Sequence, residues 1–220
     1  MESTPTTTIK DVIGKMNKPV HLKVFTTKAE SGYRQCPACE DTVAIVRELA
    51  KLSNNKIEWE EISIITDKEK CQKYGVSRAP TILFTDYNIR YTGAPIGLET
   101  APFIQTLLMA GASQSLLGSA YDDQLNRIKK NGKLMIIVTP VCPYCAQAVL
   151  IENAIAIQAK KVSVEIVESY ENPDIARKYE VSAVPVTIVN DIKKITGVPN
   201  IAELISTMAD DKAKLAELYG

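Results

Sequence analysis

The sequence is poor in the groups that most often bind metals and polyanions. It holds one histidine, His21, one tryptophan, Trp59, and no excess of either charge, with 26 Lys and Arg against 26 Asp and Glu. A neutral chain lacks the basic surface that holds nucleic acid or an anionic membrane. No apolar run approaches the roughly 20 residues needed to span a bilayer, and the opening MESTPTTTIK has neither the basic start nor the apolar centre of a secretory signal. These absences lead us to expect a cytoplasmic protein. Cysteine is scarce too: five in 220 residues are too few for a disulfide-stapled scaffold. Four of the five nevertheless fall in two Cys-x-x-Cys pairs, CPAC (36 to 39) and CPYC (142 to 145). Such a pair holds half a metal site or passes electrons, and its surroundings decide which.

Those surroundings repeat. Cys36 and Cys39 recur as Cys142 and Cys145, 106 positions on (142 − 36). KYGVSRAPTILF (73 to 84) matches KYEVSAVPVTIV (178 to 189), so Pro80 answers Pro185 at an offset of 105 (185 − 80). Upstream, GKMNKPVHLKVFT aligns with KKNGKLMIIVT, with the first copy lengthened at KAESGYRQ. One unit is used twice, and we divide the chain at 1–115 and 116–220. The stretch MAGASQSLLGSA (109 to 120) between them is small and apolar, not a flexible Pro/Gly tract, so two modules packed against each other are expected.

Within the second unit, LMIIVT (134 to 139) is a continuous apolar, β-branched run, the pattern of a strand buried on both faces. From Pro143 to about Lys160, Val149, Leu150, Ala154 and Ile157 recur at helical spacing, with proline in the first turn where its missing N–H costs nothing. VSVEIVE (162 to 168) alternates as a strand, PDIARKY begins a short helix, VTIVN and KKITG form a hairpin, and NIAELISTMAD closes with a helix. Helices are also expected at both chain ends, the last over DDKAKLAELYG. The order predicts an α/β protein with a mixed sheet and helices on both faces.

A strand, CPYC at a helix start and a Val-Pro dipeptide before a later strand resemble the thioredoxin and glutaredoxin fold. The tandem arrangement resembles the glutaredoxin-like protein disulfide oxidoreductases of thermophilic archaea and bacteria over nearly the whole chain. The resemblance implies two tandem thioredoxin-fold units, each a central mixed β-sheet flanked by helices. It further implies that Pro80 and Pro185 are cis prolines beside their CxxC pairs. The residues before them, Ala79 and Val184, would then turn backbone groups outward to pair with an extended substrate. The first unit departs from the pattern in its lengthened loop and in reading CPAC.

The chemistry follows from placement as well. A cysteine at a strand-to-helix junction faces free backbone N–H groups and the positive end of the helix dipole, which can lower a thiol pKa from about 8.5 to the range of roughly 3.5–7.5. Cys142 and Cys36 hold that position and are read as nucleophiles. Cys145 and Cys39, one turn on, are read as resolving thiols that close an intramolecular disulfide and release reduced substrate. The function expected is protein thiol:disulfide exchange, reducing, forming or isomerising disulfides without a metal or other cofactor. Its partners would be proteins with thiols or disulfides, recharged in turn by a thioredoxin reductase. An electron carrier between such a reductase and a peroxidase, and a non-enzymatic redox-sensing or chaperone-like module, remain as alternatives.

The competing uses of CxxC are a zinc site, which needs four ligands that this chain does not offer near either pair, and an iron–sulfur cluster shared between subunits. Cys71 has no counterpart, Ala176 standing near its place, and is read as a plain half-buried helical thiol. The two sites should differ. Glu40 and Asp41 beside CPAC oppose a thiolate at Cys36, with Arg34 and Arg78 available as compensation, whereas Ala146 and Gln147 beside CPYC are uncharged. Glu168, where the first unit has Ser63, is the candidate proton acceptor for Cys145.

Overall fold

The computed structural model describes residues 5–14, 16–128 and 130–209; the helix expected over 210–220 lies outside them. The first half runs α1 (Pro5–Ile13), β1 (Val20–Thr26), α2 (Pro37–Leu52), β2 (Ile57–Ser63), α3 (Lys68–Tyr74), β3 (Thr81–Phe84), β4 (Ile89–Thr92) and α4 (Thr100–Ala112). A four-residue α5 (Asp122–Leu125) leads into β5 (Gly132–Val138), α6 (Pro143–Gln158), β6 (Val162–Glu168), α7 (Pro173–Lys178), β7 (Val186–Val189), β8 (Lys193–Thr196) and α8 (Ile201–Ala209). Each half is a thioredoxin-fold unit: β1 pairs parallel with β2 and antiparallel with β3, which pairs antiparallel with β4, and β5 to β8 repeat that scheme.

The two modules are joined more closely than by packing alone. They share one eight-stranded sheet in the order β2-β1-β3-β4-β6-β5-β7-β8. The link is a parallel pairing of β4 with β6, from Ile89 opposite Val164 to Thr92 opposite Val167. Each unit therefore covers one exposed edge of the other, and the edges that remain, β2 and β8, carry charge: Glu58, Glu60 and Glu61 on one, Lys193 and Lys194 on the other. Charged edges resist further strand addition.

Period-2 alternation sorts the core. Leu22 and Val24 of β1, Ile82 and Phe84 of β3, and Leu134, Ile136 and Val138 of β5 face one continuous cluster with α1, α2, α4, α6 and α8. On the opposite face α3 covers Phe25 and Leu83, and α7 covers Met135, Ile137 and Ile188. Cys71 belongs to the α3 cluster; the residue is 8% exposed and its thiol donates to the Ser63 carbonyl at 3.7 Å, so it is more deeply set than a half-buried helical thiol. α2 buries one stripe, Cys39, Val43, Val46 and Leu49. α6 is buried almost all round, from Cys145 and Ala148 to Ile157, because α4 of the first unit packs on its other side. The continuous apolar character of its sequence is thus a consequence of the joint.

Polar groups fix the register of that joint. Asn153 of α6 donates to the Tyr91 hydroxyl and to Thr106 Oγ1, both at 2.9 Å and buried. The Ala94 N–H donates to Glu171 Oε1 at 2.8 Å, Thr92 Oγ1 donates to Glu165 Oε1 at 2.7 Å, and Arg78 pairs with Asp174. Gly93 and Gly197 each donate their N–H to the carbonyl of their unit's proline, Pro80 or Pro185, at 2.9 and 2.8 Å. Both have positive φ, +115° and +87°, but only Gly93 lies at the joint, where an added Cβ would sit 2.5 Å from Glu168 Cβ. Gly93→Ala is therefore expected to lose about 2–3 kcal/mol of stability, combining backbone strain with overpacking. Gly197→Ala, which has open space around it, should lose only the strain, about 1–2 kcal/mol. Chemical denaturation of the two variants measures the difference.

Candidate active site

The strand directions place both cysteine pairs on one edge of the sheet. β1 and β5 run the same way, because the parallel β4–β6 link preserves direction across the joint. Helices α2 and α6 start at the C-terminal ends of these strands, four positions apart in the sheet, or about 19 Å at the usual strand spacing.

At the second pair, β5 ends at Val138 and the chain turns through Thr139, whose carbonyl accepts the Cys142 N–H at 3.3 Å. Cys142 is the N-cap of α6 in extended conformation, with Pro143 at the first helical position. Its sulfur accepts the Cys145 N–H at 3.2 Å and lies 3.7 Å from the Val184 carbonyl. A helix N-terminus leaves such N–H groups without intrahelical partners, so here the sulfur serves as the cap. Cys145 is fully buried, and burial together with its contact to Cys142 pushes its thiol far above the ordinary range. The two sulfurs thus stand in unlike surroundings three residues apart. Val141 and Tyr144 beside them are 68% and 67% exposed, an apolar rim around a mostly buried thiol.

The first pair repeats the backbone and changes the charges. Cys36 caps α2 with Pro37 following, and Cys36 and Cys39 are disulfide-bonded. The Cys36 N–H donates to Thr27 Oγ1 at 2.7 Å, and that hydroxyl lies 3.9 Å from the Cys39 sulfur. The lengthened loop delivers Arg34, whose guanidinium grips Glu61 through two hydrogen bonds of 2.6 and 2.7 Å and reaches Glu40 at 2.8 Å. Burial opposes the charge of Glu61, but the bonds from Arg34 and from Thr26 outweigh it and hold the carboxyl below its usual range. Arg34 is therefore the main compensating cation at this site, with Lys28 3.6 Å from Glu61 beside it. Arg78 is not, since it turns to Asp174 and Asn172 of the second unit.

The sequence singled out Ala79–Pro80 and Val184–Pro185. Both peptide bonds are cis. Val184 abuts Cys142, as the 3.7 Å contact shows. Glu168 ends β6, and its two oxygens accept the N–H groups of Tyr170 and Glu171 at 3.0 and 2.7 Å. It shares a small cavity with a residue that was not singled out, Glu99, carried over from the first unit by the 3-10 turn Gly97–Glu99. The repeat sets Glu99 opposite Glu203, and nothing in the local sequence distinguishes the two; only the joint buries one of them. His21 pairs with Asp86 at 2.8 Å on the exposed side of β1, and Trp59 packs at the core edge. Among the described residues no group of three or more His, Cys, Asp or Glu side chains is arranged to hold a metal ion, and no helix is long and apolar enough to cross a membrane.

A thioredoxin-type unit with CxxC at the start of a buried helix, built twice into one sheet, defines a thiol:disulfide oxidoreductase. Comparison with known proteins agrees. The model of the thioredoxin domain matches residues 133–209. A probable thioredoxin of Methanothermobacter thermautotrophicus is 34% identical over 76 residues, which cover 34% of this chain and 81% of that relative. The crystal structure of a protein disulfide oxidoreductase from Aeropyrum pernix is 28% identical with a TM-score of 0.83, covering 95% of this chain and 93% of that one. The N-terminal domain of an alkylhydroperoxide reductase subunit from Enterococcus faecalis shares the fold, with a TM-score of 0.79 at 21% identity over 92% of this chain and 97% of that domain. The chain belongs to the thioredoxin family, in the tandem form also seen in the Aeropyrum protein.

The Arg34 fork makes a testable difference between the sites. In the reduced protein, Arg34→Met leaves Glu40, in the first turn of the helix that Cys36 caps, without its cation and Glu61 with only Lys28 at 3.6 Å, and the midpoint for alkylation of Cys36 by iodoacetamide should rise by about one pH unit. The midpoint for Cys142 should stay where it is. Peptide-resolved mass spectrometry across a pH series reads both.

Proposed function

We propose that the second pair leads catalysis, with Cys142 as the attacking sulfur and Cys145 as its resolver, and that Cys36 and Cys39 act as a second, electrostatically different dithiol. The observation that carries this reading is the N–H of Cys145 directed at the Cys142 sulfur at 3.2 Å, with the resolving thiol fully buried behind it. A thiolate at Cys142 attacks one sulfur of a substrate disulfide; a mixed disulfide forms and the other substrate sulfur leaves as a thiolate and takes up a proton. Cys145 then loses its proton and attacks the Cys142 sulfur, so that the Cys142–Cys145 disulfide forms and the second substrate thiol is freed. Two electrons pass to the substrate, and the reverse sequence oxidises it.

Val184–Pro185 beside Cys142 and Ala79–Pro80 in the first unit are the docking segments for an extended substrate chain, supported by the 3.7 Å approach of the Val184 carbonyl to the reacting sulfur. The exposed Val141 and Tyr144 suit a protein segment with apolar side chains. Glu168 at the end of β6 is a candidate acceptor for the Cys145 proton. The reaction so described uses no metal or organic cofactor. Its partners are proteins bearing thiols or disulfides, with a thioredoxin reductase as electron donor, in the cytoplasm, and the two working units divide as 1–115 and 116–220.

Insulin reduction with dithiothreitol tests the ranking. Cys142→Ser should lower turnover by roughly tenfold or more, whereas the double variant Cys36→Ser, Cys39→Ser should keep most of it. Full turnover from the first pair alone would reverse the order of the sites.

A further inference from the structure

The docking segment of the first site has a neighbour that its counterpart lacks. Phe25 pairs with Thr81, so Pro80 stands next to the end of β1, where Thr27 Oγ1 accepts the Cys36 N–H at 2.7 Å. On its other side the Pro80 carbonyl accepts the Gly93 N–H at 2.9 Å. A chain docked on Ala79–Pro80 therefore runs between the start of α2 and a rim made by Gly93 and Ala94. The second unit builds the outer wall of that rim. Glu171 Oε1 accepts the Ala94 N–H at 2.8 Å and would stand 3.4 Å from a Cβ on Gly93. Across from it, Asp41 is exposed on α2, five residues after Cys36, and its charge reaches Glu171. The cations nearby are already taken: Arg34 by Glu61 and Glu40, Lys28 by Glu61, and Arg78 by Asp174. Among the described residues no cation pairs with Glu171 or Asp41. Burial raises the Glu171 carboxyl, the Ala94 N–H opposes the rise, and the charges of Glu168 and Asp41 add to it; a cation brought between Glu171 and Asp41 would relieve their repulsion. At the second site both carboxylates are missing. Gln147 stands where α2 has Asp41 (147 − 41 = 106), and an added Cβ at Gly197 would meet nothing within 4 Å, because β8 is the free edge of the sheet.

We propose that Glu171, contributed by the second unit, and Asp41 select the substrates of the first site, favouring disulfide segments that carry a lysine or arginine beside the reacting cysteine. This rests on the reading of Cys36 and Cys39 as a working dithiol with Ala79–Pro80 as its docking segment. A cationic side chain next to the cysteine lies between the two carboxylates while the chain pairs with Ala79, whereas an acidic one meets two like charges. The exchange itself is that of the pair. In the reduced protein the Cys36 thiolate attacks one substrate sulfur, and the other leaves as a thiolate. Cys39 then gives its proton to solvent and attacks the Cys36 sulfur, so that the Cys36–Cys39 disulfide forms and the held substrate sulfur leaves and takes up a proton. The dithiol is oxidised and the substrate disulfide reduced. The second site, with the uncharged Val141 and Tyr144 exposed at its mouth, does not share the preference.

The experiment uses the full chain, reduced, with Cys142→Ser and Cys145→Ser so that the first pair works alone. Two short peptides each carry one cysteine joined as a mixed disulfide to a chromogenic aromatic thiol, and they differ only in the residue after the cysteine, lysine or glutamate. Release of the chromophore gives the second-order rate constant, taken relative to that of a small neutral thiol so that the peptides' own reactivity cancels. The lysine peptide should react about tenfold faster at low ionic strength and lose most of that lead in high salt. Glu171→Gln, which keeps an oxygen for the Ala94 N–H, and Asp41→Asn, on an exposed helix face, should each lower the ratio about threefold and together bring it to about one. Glu58→Gln, at the opposite end of the sheet, should leave the ratio unchanged. The converse chain, with Cys36→Ser and Cys39→Ser, should treat the two peptides alike. A ratio of about one for the first pair alone, or one that survives Glu171→Gln with Asp41→Asn, overturns the assignment of these carboxylates. Release from neither peptide overturns the reading of Cys36 and Cys39 as a working dithiol.

Discussion

The pairing of two short strands, β4 with β6, is the constraint on which the rest of the molecule depends. Those segments are the edges of two four-stranded sheets, and their parallel register turns two small units into one eight-stranded sheet. Burying one edge of the first unit against the opposite edge of the second satisfies backbone groups that would otherwise invite aggregation. It also lets α4 cover α6, so the helix that carries the second cysteine pair is enclosed by both units. Gly93, Asn153 and Glu171 have meaning only in that context, since each meets a residue of the other unit.

Equal backbones have been given unequal surroundings. Both pairs stand at the start of a helix after a strand, with proline at the first helical position. At the first, β2 is an outer edge, and charge is managed locally by Arg34 between Glu40 and Glu61. At the second, the neighbouring unit closes the site and brings a carboxyl with no counter-ion. Duplication followed by edge-to-edge joining is enough to produce this asymmetry, because the two sites meet the joint on different sides.

Much of this was readable from the chain. Two matched copies of CxxC and proline gave the duplication, and the unbroken apolar run before CPYC marked a strand buried on both faces, as β5 is. The strand VSVEIVE was delimited to the residue, since its alternation is regular and bounded by polar turns. The shared sheet was not readable: Ile89–Thr92 looks like any edge strand, and its partner lies in another unit. For the same reason Glu99 and Glu203 look alike in sequence, and Arg78, placed near its own CxxC by the repeat, instead crosses to Asp174. Local patterns report the element a residue occupies; what covers that element is set by contacts distant in sequence.

The central claim is that Cys142 is the sulfur that meets the substrate. Replacing the resolver, Cys145→Ser, should arrest the reaction at the mixed disulfide, and incubation with a protein disulfide substrate followed by non-reducing peptide mapping identifies the sulfur that holds it. The account predicts substrate bound to Cys142. Substrate found on Cys36 or Cys71, or no trapped complex while turnover continues, would contradict it.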